Sequence, residues 1–141
     1  MRTYQCLGYL GLIPFIILLW LSIYPQEHLL SYPAQVFVYY SVAILSFLSG
    51  TLWKKGHISS DIKSLIFSNF FCLYAFLCLL LPVADALVLL PIGYIALFFV
   101  EFVLYKNKAD VFFYTYMVMR VLLTSLVSLL HVLLLYYGVF K

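Results

Sequence analysis

Residues 86–105 read ALVLLPIGYIALFFVEFVLY, and this stretch decides the fold class of the chain. Its only charged residue is Glu101. About 20 helical residues cross the roughly 30 Å hydrocarbon core of a bilayer, because each residue rises about 1.5 Å. The stretch therefore predicts a transmembrane helix.

Four comparable apolar runs accompany this stretch. Together they predict five transmembrane helices at about residues 7–24, 34–53, 64–81, 86–105 and 112–140. The runs are continuous, whereas a membrane β-barrel alternates in segments of about ten residues. We expect the second loop to begin at Lys54-Lys55-Gly56-His57. The sequence thus predicts one all-α transmembrane domain over residues 1–141, a bundle of five helices.

The composition excludes several classes of protein. Hydrophobic residues make up 67% of the 141 residues and charged residues only 9%, whereas a soluble domain is about half apolar and about a quarter charged. This composition excludes a soluble domain, and its high apolar content excludes a disordered chain. A nucleic-acid-binding protein is excluded because no basic stripe is present. The expected partners are the lipid bilayer and other membrane proteins or further copies of the chain. No metal-binding or nucleotide-binding pattern occurs, so we expect no metal, no cofactor and no catalytic residue.

Basic residues are distributed unequally between the two sides of the predicted bundle. The N-terminus and the second and fourth loops share one side, and the other side holds only Lys141. Basic loops face the cytoplasm, so the distribution predicts a cytoplasmic N-terminus and an external C-terminus. The residues on the basic side are Arg2, Lys54, Lys55, Lys63, Lys106, Lys108 and Arg120.

Glu101 is the first candidate functional group, because an ionisable residue within a membrane span is a functional candidate by default. Arg120 lies near the start of the fifth helix at comparable depth, and consecutive helices are antiparallel. The sequence therefore predicts a Glu101–Arg120 pair. It leaves open whether the two residues form a structural ion pair, reach separately to the membrane interface, or bind a substrate or proton. We favour a structural role.

A polar stripe continues from Arg120 along the fifth helix. At about 100° per residue, Thr124, Ser128 and His131 lie within a quarter of the circumference from Arg120. Lipid offers these groups no partner, so we expect the stripe to face the bundle, with Ser68 and Asn69 of the third helix as candidate partners. His131 either relays a proton or hydrogen-bonds a neighbouring helix. We expect the stripe and the acidic residue of the fourth helix to form one connected polar site.

Small residues predict close contacts between helices. Ser46 and Gly50 are four residues apart on the second helix, a spacing that lets two backbones approach closely. Gly11 has a similar role on the first helix, just before Pro14, which we expect to kink that helix. Trp53 ends the second run and fits the aromatic belt of the membrane interface.

A recognisable pattern lies in Leu10-Gly11-Leu12-Ile13-Pro14-Phe15 and in the run from Tyr40 through Ser46-Phe47-Leu48-Ser49-Gly50 to Trp53. With Glu101 and the Arg120-x-x-x-Thr124 start of the fifth helix, the pattern resembles an uncharacterised family of small membrane proteins. That family is classed as a domain of unknown function, and its animal member is transmembrane protein sixty-nine. Ser49 and Lys54 stand where the family has glycine. The resemblance implies five helices in a bacterial or mitochondrial inner membrane and implies no established reaction.

Three functional classes are compatible with the sequence. A non-enzymatic accessory or assembly partner fits the short loops and the absence of catalytic motifs, and we favour it. A small oligomeric transporter or channel would use Glu101, Arg120 and His131. A membrane enzyme acting on lipid or quinone would hold a head-group phosphate at Lys54, Lys55 and His57, although basic loop residues commonly reflect the positive-inside rule alone.

Overall fold

The computed structural model describes residues 8–24, 32–59, 62–106 and 111–139. Within these residues the chain forms five α-helices, which confirms the predicted all-α fold class. The helices are α1 (Ile13–Ile23), α2 (Pro33–Ser59), α3 (Ile62–Leu79), α4 (Val83–Tyr105) and α5 (Val111–Leu134), and a π-helical segment, Leu135–Val139, continues α5.

The boundary after α2 differs from the sequence-based expectation. The second loop does not begin at Lys54, because α2 continues to Ser59. Lysine is a good helix former, and one glycine costs only about 1 kcal/mol inside a helix. By contrast, α3 ends at Leu79 and Pro82 precedes α4 as its N-cap residue, since the residue before a proline is biased away from helical geometry.

The first apolar helix covers Gly8–Ile23 and contains a turn at residues 11–12. Pro14 lies in the first turn of α1, where its missing N–H removes no helical hydrogen bond. The irregularity expected at Pro14 is therefore located just before it, at Gly11 and Leu12.

The helices pack as a closed ring around a common core. Helices that are consecutive in the chain contact each other, α1 also contacts α5, and α2 contacts α4 across the ring. The core is therefore shared by all five helices. Its largest fully buried apolar side chains are Phe15, Phe37, Leu45, Leu52, Leu87, Leu90, Leu97 and Leu134.

The contact between α2 and α3 is the most extensive in the fold. Ser68 Oγ on α3 donates to the Ser49 carbonyl oxygen on α2 over 2.7 Å, and both serines are buried. The expected close contact at Ser46 and Gly50 is wrong for Gly50. A Cβ at Gly50 would meet no atom within 4 Å, and the residue is exposed, because the phase of α2 turns Ser49 inward instead.

Four helices are long and apolar enough to cross a membrane, while the first apolar helix, Gly8–Ile23, is shorter. The four segments are Pro33–Trp53, Ile62–Leu79, Val83–Leu104 and Tyr114–Gly138. Each helix also turns large hydrophobic side chains outward, for example Ile16, Phe47, Phe70, Phe99 and Val132. A soluble protein rarely exposes apolar surface so extensively. These features indicate a membrane-embedded protein.

Candidate functional site

The first polar cluster joins the neighbouring helices α4 and α5. Arg120 Nε donates to Glu101 Oε2 over 3.1 Å, and Tyr116 Oη donates to Glu101 Oε1 over 3.0 Å. Arg120 and Tyr116 reach the same carboxylate because residues four apart lie on one face of a helix. The Glu101–Arg120 pair predicted from the sequence is therefore present.

Both members of the ion pair are almost fully enclosed by the bundle. Glu101 is 1% exposed and Arg120 is 3% exposed. Burying a charge is strongly unfavourable unless an opposite charge and hydrogen bonds compensate it. Here the Arg120 guanidinium balances the charge of Glu101, and each oxygen of the Glu101 carboxylate accepts a hydrogen bond within the protein. The pair can hold α4 against α5 without any external ligand.

The second polar cluster joins three helices through His131 of α5, Ser41 of α2 and Tyr94 of α4. His131 Nε2 lies 2.8 Å from Ser41 Oγ, and His131 Nδ1 lies 2.8 Å from the Val127 carbonyl oxygen. Tyr94 Oη donates to the Ser41 carbonyl oxygen over 2.8 Å and lies 3.3 Å from Ser41 Oγ. All three side chains are buried. The cluster therefore connects α2, α4 and α5 in the centre of the ring.

The contacts of His131 indicate which tautomer gives both ring nitrogens a hydrogen-bond partner. The Val127 carbonyl oxygen can only accept, so Nδ1 must carry a proton. In a neutral imidazole, Nε2 is then an acceptor, and the Ser41 hydroxyl donates to it. Both ring nitrogens are occupied in this arrangement. One hydrogen bond to α2 and one within α5 thus account for both ring nitrogens of His131.

Aromatic rings surround His131 on its other sides. The ring centroids of Phe37 and Phe15 lie 4.9 Å and 5.9 Å from that of His131. Phe15 also packs edge-on against Tyr40 at 4.9 Å, and Tyr40 Oη donates to the Gly11 carbonyl oxygen over 3.0 Å. The two sequence motifs, one around Gly11 and one beginning at Tyr40, therefore meet beside the second polar cluster.

The polar residues of α5 form two clusters, and the expectation of one connected polar site is wrong. Arg120 and His131 are about 16 Å apart along the helix. Thr124 lies between them and is buried, while Ser128 Oγ is buried without a hydrogen-bond partner in the described part of the chain. The stripe faces the bundle as expected. The stripe is divided because Arg120 bonds to Glu101 on α4, whereas His131 bonds to Ser41 on α2.

Asn69 does not join the stripe. It is exposed on the outer face of α3, and the inward face of that helix carries Ser64 and Ser68 instead. The expectation that Asn69 hydrogen-bonds α5 is therefore wrong, because α3 contacts α2 and α4 through its other side. Trp53 is also exposed, as its assignment to an interface belt requires.

Two residues that complete the clusters were missed in the sequence, Ser41 and Tyr116. Tyr116 could have been found from its spacing, because it lies one helical turn before Arg120 on the same face. Ser41 gives a weaker signal. It lies two turns before the buried Ser49 on α2, but nothing in the sequence shows that this face reaches His131.

The remaining chemistry of the described residues is sparse. They contain no group of His, Cys, Asp and Glu side chains that could hold a metal ion. The side chains of Lys54, Lys55 and His57, considered above for a head-group phosphate, lie outside the described residues. An open groove of about 270 Å³ between the first apolar helix and α5 is lined by Tyr9, Thr115, Val118, Met119 and Leu122. This lining offers no carboxylate, imidazole, amine or thiol for catalysis on a lipid.

Comparison with known proteins gives one family. A family described as Protein of unknown function (DUF3429) matches residues 1–136. No curated protein and no solved structure matches the chain. The family match confirms the resemblance to an uncharacterised family and covers both polar clusters and both motifs.

Proposed function

From the side-chain contacts of this chain, which belongs to the family described as Protein of unknown function (DUF3429), we propose a non-enzymatic role. The protein is a multi-pass membrane protein that acts as an accessory or assembly partner of other membrane proteins. In this role its core keeps the helices in a fixed arrangement, and its apolar outer surface contacts the partner.

The pairing of the buried polar groups is the observation that supports this proposal. Glu101 uses both carboxylate oxygens on Tyr116 and Arg120, and His131 uses both ring nitrogens on Ser41 and a helix carbonyl. A transporter or an enzyme needs such groups to meet a ligand during its cycle. Groups that are satisfied internally instead serve to fix the packing of the bundle.

A small oligomeric transporter or channel is the second candidate. The inward position of Arg120, Thr124 and His131 on one face of α5 favours it. Such a protein would have to separate α5 from α4 and α2 to expose these groups, which would break the hydrogen bonds of both clusters. Opening of this kind is expected to require differential binding of a ligand to the open state.

The accessory role predicts a defect in another protein when this one is absent. Deletion of the gene should lower the amount of one assembled membrane complex on native gels, and the wild-type gene should restore it. The physical reason is that a helical partner is lost from the apolar surface of that complex. Purified protein in liposomes should conduct no more protons or ions than empty liposomes. Unchanged membrane complexes together with solute flux through the liposomes would contradict the proposal and support transport.

We further propose an inner-membrane location, bacterial or mitochondrial, with the N-terminus in the cytoplasm or matrix. Arg120 is not evidence for this orientation, because it is buried in the ion pair and is not an exposed basic residue. The exposed residues Lys63 and Lys106 support this orientation. They lie at the same end of the bundle, because the start of α3 and the end of α4 are on the same side. The remaining basic residues of the same predicted side are Arg2, Lys54, Lys55 and Lys108.

This orientation predicts the activity of reporter fusions in a bacterial host. Alkaline phosphatase joined after Lys141 should be active, because it folds only outside the cytoplasm, and the same enzyme joined after Lys108 should be inactive. A green fluorescent protein at each position is the matched control and should give the opposite pattern. Active phosphatase after Lys108 and inactive phosphatase after Lys141 would reverse the orientation.

A further inference from the structure

A regular row of exposed residues runs along the outer face of α3, and we call it the seam. The seam consists of Ile62, Ile66, Asn69, Leu73 and Phe76. These residues are spaced four, three, four and three apart and lie within an arc of about 80° on the helix. The four apolar residues of the seam are between 53% and 70% exposed. Spacing of this kind, with an average of about 3.5 residues, is the pattern by which two helices pack along their length.

The single polar residue of the seam is placed where it is least favourable in lipid. Asn69 lies about 10 Å from the start of α3 and about 15 Å from its end, hence near the middle of a membrane-spanning segment. Its side chain is exposed and forms no hydrogen bond within the described residues. A carboxamide in hydrocarbon loses its hydrogen bonds to water and gains none from lipid. Contact with a second polar group at the same depth would remove this cost.

We propose that the protein forms a parallel homodimer through α3, with Asn69 of each copy hydrogen-bonded to Asn69 of the other. A carboxamide both donates and accepts, so it is complementary to itself across a twofold axis. Two copies inserted in the same orientation place their α3 helices parallel and their Asn69 residues at equal depth. A single asparagine in an apolar seam also fixes the register and the number of helices. The inference does not depend on the accessory role, since it rests on α3 alone.

Disulfide cross-linking in native membranes tests the seam. In a Cys6→Ser/Cys72→Ser background, where Cys78 is buried, Leu73→Cys and Phe76→Cys should form covalent dimers under mild oxidation. The matched control is Phe67→Cys, which is exposed but lies about 140° around α3 from the centre of the seam. We expect at least ten times less dimer from the control. Equal dimer formation at all three positions, or adducts with a protein of another mass, would overturn the proposal.

Dilution of the dimer into lipid tests the role of the Asn69 side-chain amide. Energy transfer between labelled full-length chains measures how far the dimer dissociates. Asn69→Leu should raise the dissociation constant about 3- to 30-fold, the range expected for hydrogen bonds between membrane helices. Cys72→Ser, on the same helix but beside the seam, should leave the constant unchanged. A wild-type protein that stays monomeric at every dilution would overturn the proposal, and so would an Asn69→Leu variant that dimerises as tightly as the wild type.

Discussion

Replacing Glu101 by glutamine should destabilise the bundle by about 3–5 kcal/mol, because Arg120 would remain as a buried cation without a counter-charge. Arg120→Gln should have a similar effect by leaving the Glu101 carboxylate unpaired. The double variant should cost clearly less than the sum of the two single variants, since two neutral amides can hydrogen-bond each other in the same space. Reversible unfolding in detergent micelles measures all four proteins of this cycle.

Tyr116→Phe is the matched control for the Glu101/Arg120 cycle. It removes one hydrogen bond to the same carboxylate, at 3.0 Å, but leaves the ion pair intact. Its expected cost is about 1.5–3 kcal/mol, the net value of one hydrogen bond to a charged group, and this is less than the cost of leaving a buried charge unpaired. Strictly additive losses in the Glu101 and Arg120 variants would show that the two residues do not act as a pair.

Gly93→Leu should be the second strongly destabilising change, with a loss of about 1–3 kcal/mol or more from overpacking. A Cβ at Gly93 would lie 2.6 Å from Cε1 of Tyr74 and 3.0 Å from Cδ2 of Leu45. The Tyr74 ring cannot move freely, because its hydroxyl donates to the Leu89 carbonyl oxygen over 2.7 Å. The added side chain must therefore push α4 away from α3 and α2.

Gly50→Leu is the matched control for Gly93→Leu. A side chain at Gly50 meets open space, so thermal unfolding in detergent should show little change or a small gain from better helix propensity. Comparable losses at Gly50 and Gly93 would show that the face of α2 containing Gly50 is covered rather than open.

These two glycines show why the sequence located the helices better than the contacts between them. Long apolar runs such as residues 86–105 predict a spanning helix whatever its neighbours are. Which side of the helix faces inward is harder to read, because lipid-facing and core-facing side chains are both apolar. A local spacing of small residues selected Gly50, whereas the close contact at Gly93 depends on Tyr74 and Leu45 from two other helices.

The polar site shows the same limit. Glu101 and Arg120 could be paired from the sequence, because two opposite charges on consecutive antiparallel helices have few alternatives in a membrane. His131 was placed on the inward face by helical phase, but its partner Ser41 lies on α2, and no sequence pattern shows that α2 and α5 meet there. Polarity alone makes both Ser68 and Asn69 candidate partners of α5, yet only Ser68 of the two lies on the inward side of α3.

Complementation by the double variant Glu101→Gln/Arg120→Gln tests the central claim most directly. The claim is that the buried charges hold the bundle together and do not handle a ligand. In a strain that lacks the gene, the double variant should restore the missing membrane complex to the wild-type level, provided that the variant protein accumulates to the same amount as the wild-type protein. A double variant that accumulates normally, unfolds like the wild type in detergent and still restores nothing would contradict the claim, because the charges themselves would then be required.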